Sequence, residues 1–309
     1  MKSTLKIFAL LLSIIIMNQT SASTDINDPV YYLEFSIHGT GADIRLNDIP
    51  VYYHDDPGTT ESQKPVPESI VNGTNTLTIK TFPLDENNNQ ENKNSYVEAI
   101  ISINGRNAPL NASKPVLKLI IHPSSNEDNI LTGNNNDFGD SSAKIINHSD
   151  DTIIAERSIH IDSPYPRWAW QDGETITDSQ ENYDSLLDKY KEIYQALKQD
   201  NKEEIHKIYA AAAQEYANSY NYQDIKDGFR IMSAGELAED NDWVLGDINL
   251  ILSKRKYHLD IYAHGKLARI LDYKNNPSLI TYLNKNVKMV SYQKFGFYKT
   301  SDGKWIMIR

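Results

Sequence analysis

The sequence predicts two folded units: an all-β antiparallel sandwich over residues 24–163, and an α+β unit of helices on a curved antiparallel sheet over residues 178–309. A connector carrying two prolines and two tryptophans joins them at 164–177. Three observations lead there. The first half is a series of short apolar runs of strand length, separated by turn signals. After residue 178 the apolar spacing switches to a helical period and then returns to strand-like runs. A chain of 309 residues also fits about two domains of ~150 residues each.

The first residues have the order of an export signal. Lys2 and Lys6 precede an apolar run, "IFALLLSIII" at 7–16, and small residues follow at Ser21, Ala22 and Ser23. The run is shorter than the ~20 apolar residues a membrane-spanning helix needs. We therefore expect a cleavable signal peptide at 1–23, cut near Ala22–Ser23, and a periplasmic or secreted protein of the bacterial envelope. The mature chain is expected to hold no integral membrane segment. The chain has no cysteine, which excludes disulfides, thiolate metal sites and lipid attachment at a cysteine. No cofactor is implied, and no metal site: Asp55–Asp56 and Asp137–Asp140 lack the alternating oxygen donors of a calcium loop.

In the first half, strands are expected at 31–37, 42–53, 74–82, 95–105, 115–122, 143–149 and 152–161. "TNTLTIKTF" shows the pattern best, with Leu77 and Ile79 on one face and Thr76, Thr78 and Lys80 on the other. Two asparagine-rich stretches, 85–95 and 132–142, have no apolar periodicity and are read as exposed loops. "IRLNDIPVY" followed by "ESIVNGTNTLTI" resembles the jelly-roll or immunoglobulin-like β-sandwich modules of many secreted proteins, through Gly73, Asn75, Leu77 and Ile79. Gly73 is expected to take a positive φ, and Asn75 to close the turn with its amide. The resemblance concerns structure and brings no sugar site with it.

In the second half, Leu186, Leu187, Tyr190, Ile193, Tyr194 and Leu197 lie on one helical face, with Asp178 and Glu181 as a capping box. Ile205, Ile208, Tyr209, Ala212 and Tyr216 mark a second helix, capped by Asp200 and Glu203, and a third fits 222–232. Strands are expected at 243–253, 256–264, 266–273, 287–300 and 304–309, the last two joined by the turn Ser301-Asp302-Gly303. Helices, then a sheet, then the closing hairpin "FGFYKTSDGKWIMIR": this order resembles the nuclear-transport-factor-2-like (NTF2-like, cystatin-like cone) superfamily over 178–309. The resemblance implies a cone-shaped pocket, used by some members for catalysis and by others for binding or assembly, so it does not decide chemistry.

Charge is unevenly spread. The chain carries −11 overall, but residues 254–309 hold twelve basic and three acidic residues. The acidic remainder argues against nucleic-acid binding. The basic end suits an anionic partner, or neutralisation by acids of its own unit. On the strand expected at 287–300, Lys288 and Lys294 share a face with Val290 and Tyr292, which makes Lys288, Tyr292 and Lys294 interface candidates.

Two other places compete for a site. On the strand at 256–264, alternation sets Tyr257, Leu259, Ile261 and Ala263 towards a core, and His258, Asp260, Tyr262 and His264 on the polar face. His258, Asp260 and Tyr262 are the catalytic candidates, with Asp260 orienting a histidine. Trp168 and Trp170 point the same way if the connector is extended, either as a stacking platform for a ligand or as a wedge between the units; the wedge is the preferred reading.

The leading expectation is an exported, non-catalytic binding protein with a macromolecular, protein partner. A secreted toxin held by an immunity-type protein is one such class. The alternatives are an enzyme or small-ligand binder using the cone pocket, and a carbohydrate-binding envelope protein using the sandwich and the tryptophans.

Overall fold

The computed structural model describes residues 26, 28–84, 94–123, 130–131, 138, 141–149, 152–222, 224–232 and 242–308. The expected signal peptide at 1–23 lies outside them, as do most of the two asparagine-rich stretches. The described chain is mostly antiparallel sheet, in four sheets, with four α-helices.

Among the described residues the first half has nine strands: β1 (Pro29–His38), β2 (Gly41–Leu46), β3 (Ile49–His54), β4 (Thr59–Pro65), β5 (Gly73–Phe82), β6 (Tyr96–Gly105), β7 (Lys114–Ile121), β8 (Lys144–Ser149) and β9 (Thr152–Ile161). They form two sheets, ordered β4-β1-β6-β7 and β3-β2-β5-β9-β8. Period-two alternation sends Leu33, Phe35 and Ile37 of β1 and Leu77 and Ile79 of β5 into one core between the sheets. β4 has no counterpart in the expected strands. It is an edge strand of mostly polar residues, "TTESQKP", so it shows no apolar run to read.

The run at 42–53 is two strands. Asn47 and Asp48 both take positive φ, 55° and 60°, and turn β2 back as β3. Positive φ at both central residues matches the twist of a two-residue hairpin, and Asn and Asp tolerate it. Asn47 then builds inwards. Its Nδ2 donates to Asn75 Oδ1 at 2.8 Å and to the Ser69 carbonyl at 2.8 Å, and its Oδ1 accepts from Thr76 N at 2.9 Å. Asn75 is fully buried; its Oδ1 accepts from Val71 N and its Nδ2 donates to the Val71 and Gly73 carbonyls. Gly73 sits at φ 103°.

The second half contains α1 (Gln180–Lys198), α2 (Lys202–Ser219), α3 (Ile225–Ile231), β10 (Trp243–Leu245), α4 (Ile248–Lys254), β11 (Tyr257–Tyr262), β12 (Leu267–Asp272), β13 (Thr281–Asn284), β14 (Val290–Tyr292), β15 (Phe297–Lys299) and β16 (Trp305–Met307). The caps fall one residue later than the sequence suggests. Ser179 Oγ accepts from Asn182 N, and Asn201 Oδ1 accepts from Glu204 N. Asp200 takes φ 50° and belongs to the tight turn between the helices, so it cannot act as the cap.

Two expected strands are corrected. Residues 243–253 are a three-residue strand followed by a helix, because Asp247 accepts from Asn249 N and Leu250 N and starts α4. Residues 287–300 are not one strand. β14 and β15 belong to different sheets, and between them Gln293 N donates to the Ile280 carbonyl while Phe295 turns into the core. The single curved sheet expected is therefore two: β11-β12-β15-β16 and β10-β13-β14. β13 was not foreseen. A core around Tyr190, Phe295, Phe297 and Trp305 lies between these sheets and the helices.

The halves share packing. Trp168, Trp170, Tyr262, Ala263, Leu267 and Ile308 belong to the same buried cluster as the inner residues of the sandwich. At its edge the β11–β12 turn, with positive φ at Ala263, His264 and Gly265, meets the Asn47–Asp48 turn. Ala263 N donates to the Asp48 carbonyl and His264 N to Asp48 Oδ2.

Candidate interaction surface

The connector holds no open platform. Trp168 is 1% exposed and Trp170 5%. Trp168 stands next to a short 3-10 turn at Ala169–Asp172, with its ring stacked near Tyr165 and its Nε1 donating to the Ile70 carbonyl at 2.7 Å. Both indoles are surrounded by protein, so neither offers a face to a sugar ring.

The polar face expected on β11 is not continuous. His258 is exposed, and Asp260 accepts from Arg269 Nε at 2.7 Å, directly across the β11–β12 pair. Tyr262 is buried, a correction to its expected place on the polar face: the end of β11 leaves the helix core and enters the sandwich core, while Leu259 stays with the helices. The Arg269 guanidinium also lies 5.3 Å from the Tyr262 ring centroid. Asp260 is thus engaged by a cation rather than by a histidine. No acid–base pair of the kind expected forms here. His258 instead faces a polar cleft of about 360 Å³ between the start of α1 and β11, with Asp178, Ser179, Tyr183 and Tyr257. Burial, with the neighbouring Asp184 and Tyr257 adding to it, raises the Tyr183 phenol above its ordinary range, which suits a neutral hydrogen-bonding group.

The unusual surface is on the small sheet. Val244, Leu283 and Val290 are register partners across β10, β13 and β14, so their side chains stand in one row on one face. They are 46%, 46% and 43% exposed. On the opposite face Tyr282 is buried against the helix core. Leu250 of α4, 52% exposed, rises beside the row. Between α4 and the sheet runs an apolar groove of about 220 Å³, lined among others by Leu250, Ile251, Thr281, Leu283, Val290 and Tyr292. Single exposed apolar residues are ordinary on proteins, but a contiguous set is not.

The rim is basic. Lys254 and Arg255 line the groove, and Lys288 and Lys294 lie exposed on either side of β14. Arg255 is held in place, its Nη1 donating to Asp272 Oδ2 at 2.6 Å. Burial by itself would raise the Asp272 carboxyl. The backbone N–H groups of Asn276 and Lys274, Arg255 and the Ser278 hydroxyl outweigh it and hold the carboxyl below its ordinary range. Of the residues singled out from sequence, Tyr292 lines the groove, and Lys288 and Lys294 are exposed before and after β14 rather than on the single long strand that suggested them. Leu283 and Val244 escaped notice because strands of four and three residues show no periodicity to read.

Among the described residues no cluster of three or more histidine or acidic side chains could hold a metal ion, and no helix is long and apolar enough to cross a membrane. Comparisons with family models, with curated proteins and with solved structures returned no significant match.

Proposed function

We propose that the protein is an exported, non-catalytic binding protein that engages a protein partner through the basic, apolar face of β10, β13 and β14. In this reading residues 1–23 direct export, 24–163 and 178–309 are its two domains, and the connector fixes one against the other. The observation that carries the reading is the exposed row Val244–Leu283–Val290 beside Leu250, where the other large apolar side chains among the described residues are mostly buried. Apolar centre with charged rim is the build of a protein interface. The test is affinity capture from an envelope extract, with the exported protein and its Leu283→Asp/Val290→Asp variant as paired baits. A stoichiometric protein held by the first and lost by the second supports the reading. Equal capture by both would remove this face from the function.

A second reading is favoured by the polar cleft beside His258: a small-ligand binder or enzyme of the NTF2-like type, in which Asp178, Tyr183, Tyr257 and His258 contact a polar ligand. His258→Ala with Tyr257→Phe would then abolish ligand binding and leave partner capture intact.

A further inference from the structure

The exposed face also restricts what can lie on it. We infer that the occupant is an acidic amphipathic helix of the partner, laid across β10, β13 and β14 beside α4, with its apolar stripe on Val244, Leu283 and Val290. This rests on the reading of the face as a protein interface and adds the shape and charge of what binds.

Three observations carry it. The first is spacing. Neighbouring strands are ~4.8 Å apart, close to the ~5.4 Å pitch of a helix, so a helix laid across three of them sets about one turn of its stripe on each residue of the row. The second is layering. The other small sheet, β11-β12-β15-β16, is already packed by α1 and α2, whereas among the described residues the groove on the outer face of β10-β13-β14 is flanked by α4 at one side. A helix there completes the layer by the packing the molecule itself uses. The third is charge. Lys254 and Arg255 line the groove, and Lys288 and Lys294 lie exposed before and after β14. One acid, Asp247, caps α4, and another, Asp272, holds Arg255 in position. Arg255 keeps further guanidinium donors for a carboxylate, and Lys254 and Lys288 add mobile charge.

The same charges weigh against other occupants. A second copy docked face to face by two-fold symmetry would press one basic rim against another of the same sign. A flat anionic bilayer would touch the lysines and the rim, but not Thr281 and Ile251 within the groove.

The test uses two labelled synthetic peptides with the same leucine stripe at helical spacing, one with glutamate and one with lysine on the polar face. Binding to the exported protein is followed by fluorescence anisotropy at low and high salt. The acidic peptide is expected to bind, more weakly as salt rises, and the basic one not to bind. Leu283→Asp/Val290→Asp should weaken the acidic peptide about thirtyfold. Lys254→Glu/Lys288→Glu, at exposed positions, keeps the fold and should also weaken it. Folding of both variants is checked by thermal melting. Equal affinity for the two peptides, no binding of either, or unchanged affinity in the variants overturns the inference. So does phosphatidylglycerol-vesicle binding, or a sedimenting dimer, that the Leu283→Asp/Val290→Asp variant loses while peptides fail to bind. If capture in the extract depends on the face but the acidic peptide does not bind, the interface reading stands and the acidic helix falls. If capture ignores the face, the interface reading itself fails.

Discussion

Asp48 and His264 join the two halves of the chain: the carboxylate of one accepts the backbone N–H of the other at 2.9 Å, across 216 positions of sequence. Both residues are at positive φ, so two left-handed turns meet head-on. Asp48 also accepts from Arg45 Nη1 at 3.0 Å. Asp48→Ala removes both acceptors and keeps the unfavourable φ. It should destabilise the protein by about 2 kcal/mol. Amide exchange at His264 should speed up together with exchange at the β11–β12 hairpin. Exchange that speeds up at Asp48 alone would mean that the two turns do not support each other.

The Asn47–Asn75 pair makes a sharper prediction. Both side chains are buried, and between them they satisfy backbone groups of Ser69, Val71, Gly73 and Thr76. Asn75→Ala leaves Val71 N and one of the two Asn47 Nδ2 hydrogens without an acceptor, while the other still donates to the Ser69 carbonyl. Unsatisfied buried groups cost ~1–3 kcal/mol each, so a loss of about 3 kcal/mol is expected in urea unfolding. A loss below ~1 kcal/mol would show that water replaces the amide there.

How legible was this in the sequence? Gly73 and Asn75 could be read because a turn needs a residue free to take positive φ and a side chain able to close on the backbone, and both needs leave a mark on residue type. Long amphipathic elements such as α1 and β9 could be read for the same kind of reason: burial on one face repeats with the period of the backbone. The small sheet could not. Leu283 pairs with Val244 and Val290 from strands of three and four residues, and one "V" or "L" per strand carries no period. Lys288 and Lys294 were found through net charge and through the alternation of a strand expected at 287–300, which is not one strand. The fate of Asp260 was hidden too, since its partner Arg269 faces it only after β11 and β12 have paired.

Trp168 gives the next prediction. It is nearly inaccessible, and its ring N–H is bonded to Ile70. Trp168→Ala should cost about 3–5 kcal/mol as an aromatic deletion in a core. Trp168→Phe keeps most of the packing and leaves the Ile70 carbonyl short of its donor, so a smaller cost of about 1–3 kcal/mol is expected. In the unaltered protein the emission should lie towards the blue and resist quenching by iodide. Ready quenching of all four tryptophans would contradict the buried connector.

Asp260 and His258 share a strand but differ in what they hold. His258 is exposed, and His258→Ala should change stability by no more than about 0.5 kcal/mol. Asp260→Ala strips Arg269 of its cross-strand partner while the guanidinium still lies beside Tyr262. A cost of about 1 kcal/mol is expected, recovered in part at high salt, where the unpaired charge is screened. Equal effects of the two substitutions would mean that the ion pair does not form.

The last prediction concerns acid. Asp272 accepts from Lys274 N at 2.9 Å, Asn276 N at 3.0 Å, Ser278 Oγ at 3.2 Å and Arg255 Nη1 at 2.6 Å, and these donors hold its folded pKa below the unfolded value near 3.8. The unfolded chain therefore binds the proton first as the solution is acidified. The stabilisation from Asp272 is fully present above the ordinary aspartate range and is lost as the pH falls through the folded value. Melting temperature should hold steady towards neutrality and drop below about pH 4. Asp272→Asn keeps one acceptor oxygen but turns an N–H₂ group towards Arg255. It should lower stability at neutral pH by about 2–3 kcal/mol and reduce the acid-dependent part of the drop. Arg255, released from Asp272, should also present its guanidinium less rigidly at the groove, so the variant should bind the acidic peptide more weakly at neutral pH. An Asp272→Asn protein with the same acid profile as the unaltered one would show that this carboxylate does not set the low-pH limit of the fold.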